Sequence, residues 1–208
     1  MPPSSPSVAA TVTNKTRAVV MGLALLTIFV ILILWRPRAP ERALVGWHLP
    51  EAPDRGRGRR VLVLDLDETL VHALPPDHRT VLVRPHAAEF LAAVSRTFDE
   101  VVVFTAGTRE YASPVLDGLD PDGTLLGRRF YRDSCSVMPG TGLLVKDLRI
   151  LGEADLSRVR IVDNTPSAYA LQPQCAVPIR SYEGDDPDDT ELLRVLRKLF
   201  DFLENTPR

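Results

Sequence analysis

The most constraining stretch of this 208-residue chain is RVLVLDLDETLVH, residues 60–72. Val61 to Leu64 form an unbroken apolar run, the texture of a strand buried on both faces in a parallel α/β sheet. The run stops at Asp65 and Asp67. Two carboxylates at the carboxyl end of such a strand are unfavourable unless they are hydrogen-bonded or bind a cation, and that edge is where open α/β sheets hold their ligands. An isolated Asp-x-Asp also reads as a turn whose acids cap a following helix. Two later segments speak for a site: EVVVFTAGT (100–108) and VRIVDN (159–164) are further apolar strands ending in polar groups, at Thr105 and at Asp163 with Asn164.

The full string DLDETLVH resembles the DxDxT signature of the haloacid dehalogenase superfamily of aspartate-nucleophile phosphatases. It is most similar to the branch with the FCP1 homology domain, which holds the small phosphatases of the RNA polymerase II carboxy-terminal domain and the Dullard-type nuclear envelope phosphatases. Further motifs follow in that branch's order. Arg84 and Pro85 in LVRPHAAEFL match its helix start, with Pro85 suited to a first helical turn and Phe90, Leu91 and Val94 forming an apolar stripe. Thr105 stands where the branch has a phosphate-contacting hydroxyl. YRDSC and LLVKDL supply Arg132 and Lys146, and VRIVDN supplies Asp163 and Asn164. The likeness covers residues 60 to 204.

The resemblance implies a Rossmannoid α/β domain over residues 58–208, with a central, mostly parallel sheet and helices on both faces. It also implies roles. Asp65 is the nucleophile, forming an aspartyl-phosphate. Asp67 protonates the leaving alkoxide and later activates water. Thr69 orders the loop, and Thr105 with the backbone after it, beginning at Ala106, cradles the phosphoryl group. Lys146 neutralises the nonbridging oxygens and keeps Asp65 ionised, and Arg132 holds the substrate near its phosphate. The implied cofactor is Mg²⁺, on Asp65, the main-chain carbonyl of Asp67 and Asn164, with Asp163 beside that sphere directly or through water. The implied substrate is a phosphoserine or phosphothreonine protein, with room for a regulatory subunit.

Taken singly, Lys146 reads as a surface amine, Arg132 as a solvated side chain and VDN as a strand running into an Asx turn. Their joint order favours the site. His72 and His86 read as structural or cap residues, and GDDPDD (184–189) as a solvated turn feeding a last helix, TELLRVLRKLFDFL. The chain departs from the small phosphatases in two places. Only ALPPDHRTVLV separates the DxDxT strand from Arg84, which truncates the pocket that a longer segment shapes there. CSVMPGTGLLVK is about two residues longer than the family's spacing before its lysine.

With 25 basic against 27 acidic residues and a net charge of −2, the chain has no nucleic-acid-coating surface, and a direct nucleic-acid partner is not expected. Its two cysteines, Cys135 and Cys175, lack the spacing of a zinc site. Ahead of the α/β domain, residues 1–17 are small, polar and proline-rich, the composition of a disordered tail. Residues 18–35, AVVMGLALLTIFVILILW, carry no charge and are about long enough for one transmembrane helix at roughly 1.5 Å per residue. A buried core helix and a cleaved signal peptide are the competing readings, but the domain has its own core and WRPRAPER is a poor cleavage site. Residues 36–57 make a juxtamembrane linker whose arginines favour a cytosolic carboxyl-terminal domain. By likeness to the Dullard type, the expected place is the endoplasmic reticulum or nuclear envelope, with the domain cytosolic or nucleoplasmic. The alternative is the mitochondrial inner membrane, as a catalytically silent import receptor of the same fold.

Overall fold

The computed structural model describes residues 59–75, 80–153 and 155–205. The expected tail, span and linker at 1–57 lie outside the described residues. Among the described residues, no helix is long and apolar enough to cross a membrane.

Strand β1 (Val61–Leu64) is the middle of a five-stranded sheet, and none of its four residues exposes any surface. On one side it pairs in parallel with β4 (Glu100–Phe104), on the other with β8 (Val159–Asp163), so that Leu64 faces Val103 and Val162. β5 (Arg129–Phe130) and β9 (Ala176–Pro178) form the edges, giving the order β5-β4-β1-β8-β9 with every neighbour parallel. A short antiparallel hairpin, β2 (Val71–Ala73) with β3 (Val81–Val83), fills the stretch between the DxDxT turn and Arg84. A second hairpin, β6 (Ser136–Val137) with β7 (Leu144–Val145), leads to Lys146.

Because side chains alternate along a strand, β1 feeds two cores. Leu62 and Leu64 pack with Phe90, Leu91 and Val94 of α1 (Ala87–Thr97), Leu116 of α2 (Arg109–Leu119) and Leu192, Leu196 and Leu199 of α3 (Glu191–Asn205). Val61 and Val63 pack instead with Leu148, Leu151, Tyr169 and Cys175. These come from three 3₁₀ turns, Leu148–Leu151, Pro166–Tyr169 and Pro173–Cys175. The expectation of helices on both faces is therefore corrected for the described residues: their three α-helices share one face. Right-handed crossovers explain the division. The steps β1 to β4 to β5 run one way across the sheet and place α1 and α2 on one face. The return from β5 to β8, and the step to β9, run the other way and must cover the opposite face. There Gly152, Pro166 and Pro173 break the chain into pieces too short for an α-helix.

Two local readings also change. Helix α1 starts at Ala87, with His86 at its N-cap in the left-handed region (φ 66), so Pro85 precedes the helix rather than lying in its first turn. The cause is the Arg84 backbone, which is held to Leu70 O at 2.9 Å and accepts from Ala87 N at 3.2 Å. The acidic run before α3 is not wholly solvated either. Asp189 is 2% exposed and takes a two-pronged hydrogen bond from Arg84, Nε to Oδ1 at 3.0 Å and Nη2 to Oδ2 at 2.9 Å. Arg84 itself is 1% exposed.

Candidate active site

The carboxyl ends of β1, β4 and β8 meet on one rim, where the strand order reverses its direction of growth, the usual ligand crevice of an open α/β sheet. Asp65 continues the line of β1, its amide donating to Val162 O at 3.0 Å. Its carboxylate is gripped from two sides. Lys146 Nζ donates to Oδ1 at 2.5 Å, and Thr69 Oγ1 donates to Oδ2 at 2.9 Å. Lys146 also donates to Asp163 Oδ2 at 2.6 Å, so one ammonium bridges the ends of β1 and β8. Asp163 takes a further bond from Thr165 N at 2.8 Å. All four of these side chains, Asp65, Thr69, Lys146 and Asp163, are buried.

Asp67 is held differently. After Leu66, which turns into the core, the chain bends sharply: Leu70 N and Val71 N both donate to Leu66 O, and Glu68 takes φ 58. A non-glycine residue at positive φ costs about 1 kcal/mol or more and tends to mark functional turns. The turn carries Asp67 to the mouth of β4. There Tyr111 Oη donates to Oδ1 at 2.5 Å and Thr105 Oγ1 donates to Oδ2 at 3.2 Å. Thr105 Oγ1 in turn accepts from Gly107 N at 2.8 Å. Arg132 joins this side through the backbone, with Nε donating to Ala106 O at 2.6 Å and its amide to Gly107 O at 3.0 Å. Asn164, at the outer rim of β8, donates from Nδ2 to Ser181 Oγ at 2.9 Å.

The geometry thus joins Asp65, Thr69, Lys146 and Asp163 in one chain of contacts, and Asp67 and Thr105 in a second. Arg132 and Ala106 lie behind Thr105, and Asn164 follows Asp163. Thr105 has its proton on Asp67. Lys146 stands on Asp65 and Asp163 despite the long segment ahead of it. That segment forms the β6–β7 hairpin, at whose tip Gly140 and Gly142 take positive φ and Met138 N bonds to Leu143 O.

Three carboxylates, Asp65, Asp67 and Asp163, face a single buried ammonium, and the imbalance appears in their acidities. The Asp67 carboxyl is pushed above its ordinary range, first by burial; the Tyr111 hydrogen bond opposes this and the charge of Asp65 adds to it. Asp163 is pushed up by burial and by Asp65, against the pull of Lys146. Burial alone would lower the Lys146 ammonium, but Asp65 and Asp163 more than reverse that and raise it. An oxygen-only donor set with surplus negative charge fits a hard divalent cation such as Mg²⁺.

Sequence reasoning missed Tyr111, although FTAGTREYA holds it six residues beyond Thr105. Its place in the first turn of α2 brings its hydroxyl to Asp67 at the strand mouth. It also missed the Arg84–Asp189 pair, whose partners are 105 residues apart, and the contact of Glu68 Oε2 with His72 Nδ1 at 2.7 Å.

Residues 60–207 match the family of NLI interacting factor-like phosphatases. Over 164 residues the chain is 43% identical to the probable C-terminal domain small phosphatase of Dictyostelium discoideum, covering 71% of this chain and 52% of that protein. Over 166 residues it is 42% identical to CTD nuclear envelope phosphatase 1 of Xenopus tropicalis, covering 68% and 66% respectively. The chain therefore spans between half and two thirds of the length of these curated relatives. Among solved structures, that of Fcp1, an essential RNA polymerase II CTD phosphatase, superimposes with a TM-score of 0.56 over 70% of this chain and 62% of that one; at 21% identity the likeness is one of fold. The import-receptor alternative has no support in these matches.

Proposed function

The chain belongs to the NLI interacting factor-like phosphatase family, and from that premise we propose that it is a Mg²⁺-dependent protein serine/threonine phosphatase working through a phosphoaspartate on Asp65. The observation that carries the reading is the Lys146 bridge between Asp65 and Asp163 with Asp67 alongside. It supplies a nucleophile paired with an ammonium, and next to it a carboxyl whose raised pKa suits a proton donor.

In the first step an Asp65 oxygen forms a bond to phosphorus as the bond to the seryl or threonyl oxygen breaks, and the proton on Asp67 passes to that departing oxygen. In the second, Asp67, now ionised, takes a proton from water as the water oxygen attacks phosphorus, releasing inorganic phosphate and restoring Asp65. Thr69 holds Oδ2 of Asp65, leaving the nucleophile one geometry. Lys146 lies where it offsets charge on the transferring group. Arg132 and the backbone of Ala106 and Gly107 line the side from which the phosphoryl oxygens are held. Asp65, the main-chain carbonyl of Asp67, Asp163 and Asn164 would hold the Mg²⁺, which when bound supplies the positive charge that lets a phosphate dianion approach an anionic aspartate.

The proposal extends to placement. Residues 1–17 form a disordered tail, 18–35 a single span, 36–57 a linker and 58–208 the catalytic domain facing cytosol or nucleoplasm. The name of the Xenopus relative supports the nuclear envelope. A tethered phosphatase meets membrane-bound phosphoproteins at raised effective concentration. In detergent micelles, the full chain is expected to release phosphate from a phosphoserine peptide with Mg²⁺ and to stop on chelation. Phosphate trapped on a peptide containing Asp65 would identify the intermediate. A folded wild-type chain that hydrolyses no phosphomonoester in Mg²⁺ would sink the reading.

A further inference from the structure

We propose that Tyr111 is a positioning residue for the acid–base carboxylate: its phenol saturates Oδ1 of Asp67 and so leaves Oδ2 as the oxygen that carries the proton to the leaving group. The inference rests on the phosphatase reading above and assigns it a residue that neither the motifs nor the spacing indicated.

Asp67 is only half-buried, sits on a bend rather than in the strand, and has no ion-pair partner among the described residues. Two hydroxyls fix it instead, and they are unequal. The Tyr111 contact is 2.5 Å and the Thr105 contact 3.2 Å. A phenol has a single proton, and the Tyr111 hydroxyl directs it at Oδ1. It is therefore a standing donor, and Oδ1 stays an acceptor in both protonation states of Asp67. A carboxylic acid has one proton to place, and the remaining site is Oδ2. The Thr105 hydroxyl opposite Oδ2 can turn to accept, because its present bond there is long.

The loop is cut to admit the ring. A Cβ at Gly107 would stand 3.0 Å from Tyr111 Cδ1, 3.1 Å from Thr105 Oγ1 and 3.4 Å from Asp67 Oδ2. A side chain there would press on the ring, the hydroxyl and the carboxylate together. Helix α2 fixes the other end of the tyrosine: Thr108 is its N-cap, Ala112 N closes the first turn onto Thr108 O at 2.9 Å, and the neighbouring Ala112 is fully buried. The phenol thus reaches Asp67 from a rigid element.

The test uses the full chain in detergent with Mg²⁺ and two substrates. A phosphoserine peptide has an alkoxide that must be protonated to leave, whereas 4-nitrophenyl phosphate releases a stable phenolate. Tyr111→Phe keeps the ring and removes the donor. The expected result is that kcat on the peptide falls about tenfold, part of the 10²–10⁴ that general acid catalysis supplies, while kcat on the nitrophenyl ester falls by less than about twofold and both KM values hold. In an Asp67→Asn background the same change should add nothing, since the two residues act as one unit. An equal fall on both substrates would overturn the proposal, as would a raised KM with kcat intact, which is the mark of a substrate contact, or no change at all. A wild-type chain inert on both substrates would instead defeat the phosphatase reading and take this role with it.

Discussion

Two clusters of buried charge lie on either side of the DxDxT turn, and they are built on opposite principles. Behind the turn, Arg84 and Asp189 meet fork to fork, with two parallel hydrogen bonds and a third from Arg84 Nη1 to Thr69 O at 3.2 Å. Arg180 adds a bond to Asp189 at the surface end, and the Tyr182 ring lies 5.3 Å from the Arg84 guanidinium carbon. Each Arg84 nitrogen and each Asp189 oxygen has a partner. Burial's upward push on the Asp189 carboxyl is outweighed by the Arg84 hydrogen bonds and charge together with the bonds from the Glu191 amide and Arg180, so its pKa is lowered. In front of the turn, Lys146 is shared between Asp65 and Asp163 with Asp67 beside them, and the pKa values of Asp67 and Asp163 rise. A balanced cluster holds a shape. An unbalanced one keeps affinity for something positive and for a group in which charge moves. Thr69 joins the two, since its carbonyl takes the Arg84 bond and its hydroxyl holds Asp65.

The contrast breaks most sharply at Asp65. Asp65→Asn should lower peptide turnover by about 10⁴-fold or more without lowering the thermal midpoint, because it relieves surplus negative charge; a marked loss of stability would place Asp65 with the structural cluster. Arg84→Met should do the reverse at the level of the fold. Leaving Asp189 buried without its two-pronged partner, held only by Arg180 and the Glu191 amide, is expected to cost about 3 kcal/mol in urea titrations, and most of that should return in Arg84→Met/Asp189→Leu. Next in size is the response to cation. Mg²⁺ at a hundred times its Kd should stabilise the chain by about 2.7 kcal/mol; Asp163→Asn should abolish this shift, whereas Asp189→Asn should retain it. Equal shifts in both variants would erase the distinction.

The smallest effect is the pH dependence, which carries opposite signs in the two places. Asp189 has a lowered folded pKa, so its contribution is present above the unfolded value near 3.9 and is lost as pH falls through the folded one. Wild-type midpoints should therefore drop more steeply than those of Asp189→Asn in that acid range. Asp67 has a raised folded pKa, so its charge disfavours the fold at neutral pH and the penalty fades as pH falls towards the unfolded value. In chelator, Asp67→Asn should be more stable than wild type at pH 7, with the gap closing on acidification. Parallel curves for both pairs would remove the asymmetry.

Much of the frame was legible because it depends on local texture. Four apolar residues running into Asp65 could only be a central strand, and the endings of β4 and β8 followed the same grammar. Lys146 beside Asp65 was readable from motif order, but its second bond, to Asp163, was not, because Asp163 was expected beside the cation. The face lacking α-helices was not, because covering it depends on crossover handedness together with where Gly152, Pro166 and Pro173 fall. Asp189 looked solvated because an acidic run carries no mark of a partner 105 residues earlier. Tyr111 was hidden for a related reason: an aromatic in a helix's first turn ordinarily packs, and only the close approach over Gly107 turns its hydroxyl to Asp67.

The proposed nucleophile, Asp65, is the next link of β1, the most deeply enclosed strand among the described residues, its own amide tied to Val162 O. Local fraying therefore cannot expose Asp65 while the rest stays whole. Thermal inactivation should coincide with cooperative melting, and the Asp65 amide should exchange with deuterium only through global unfolding.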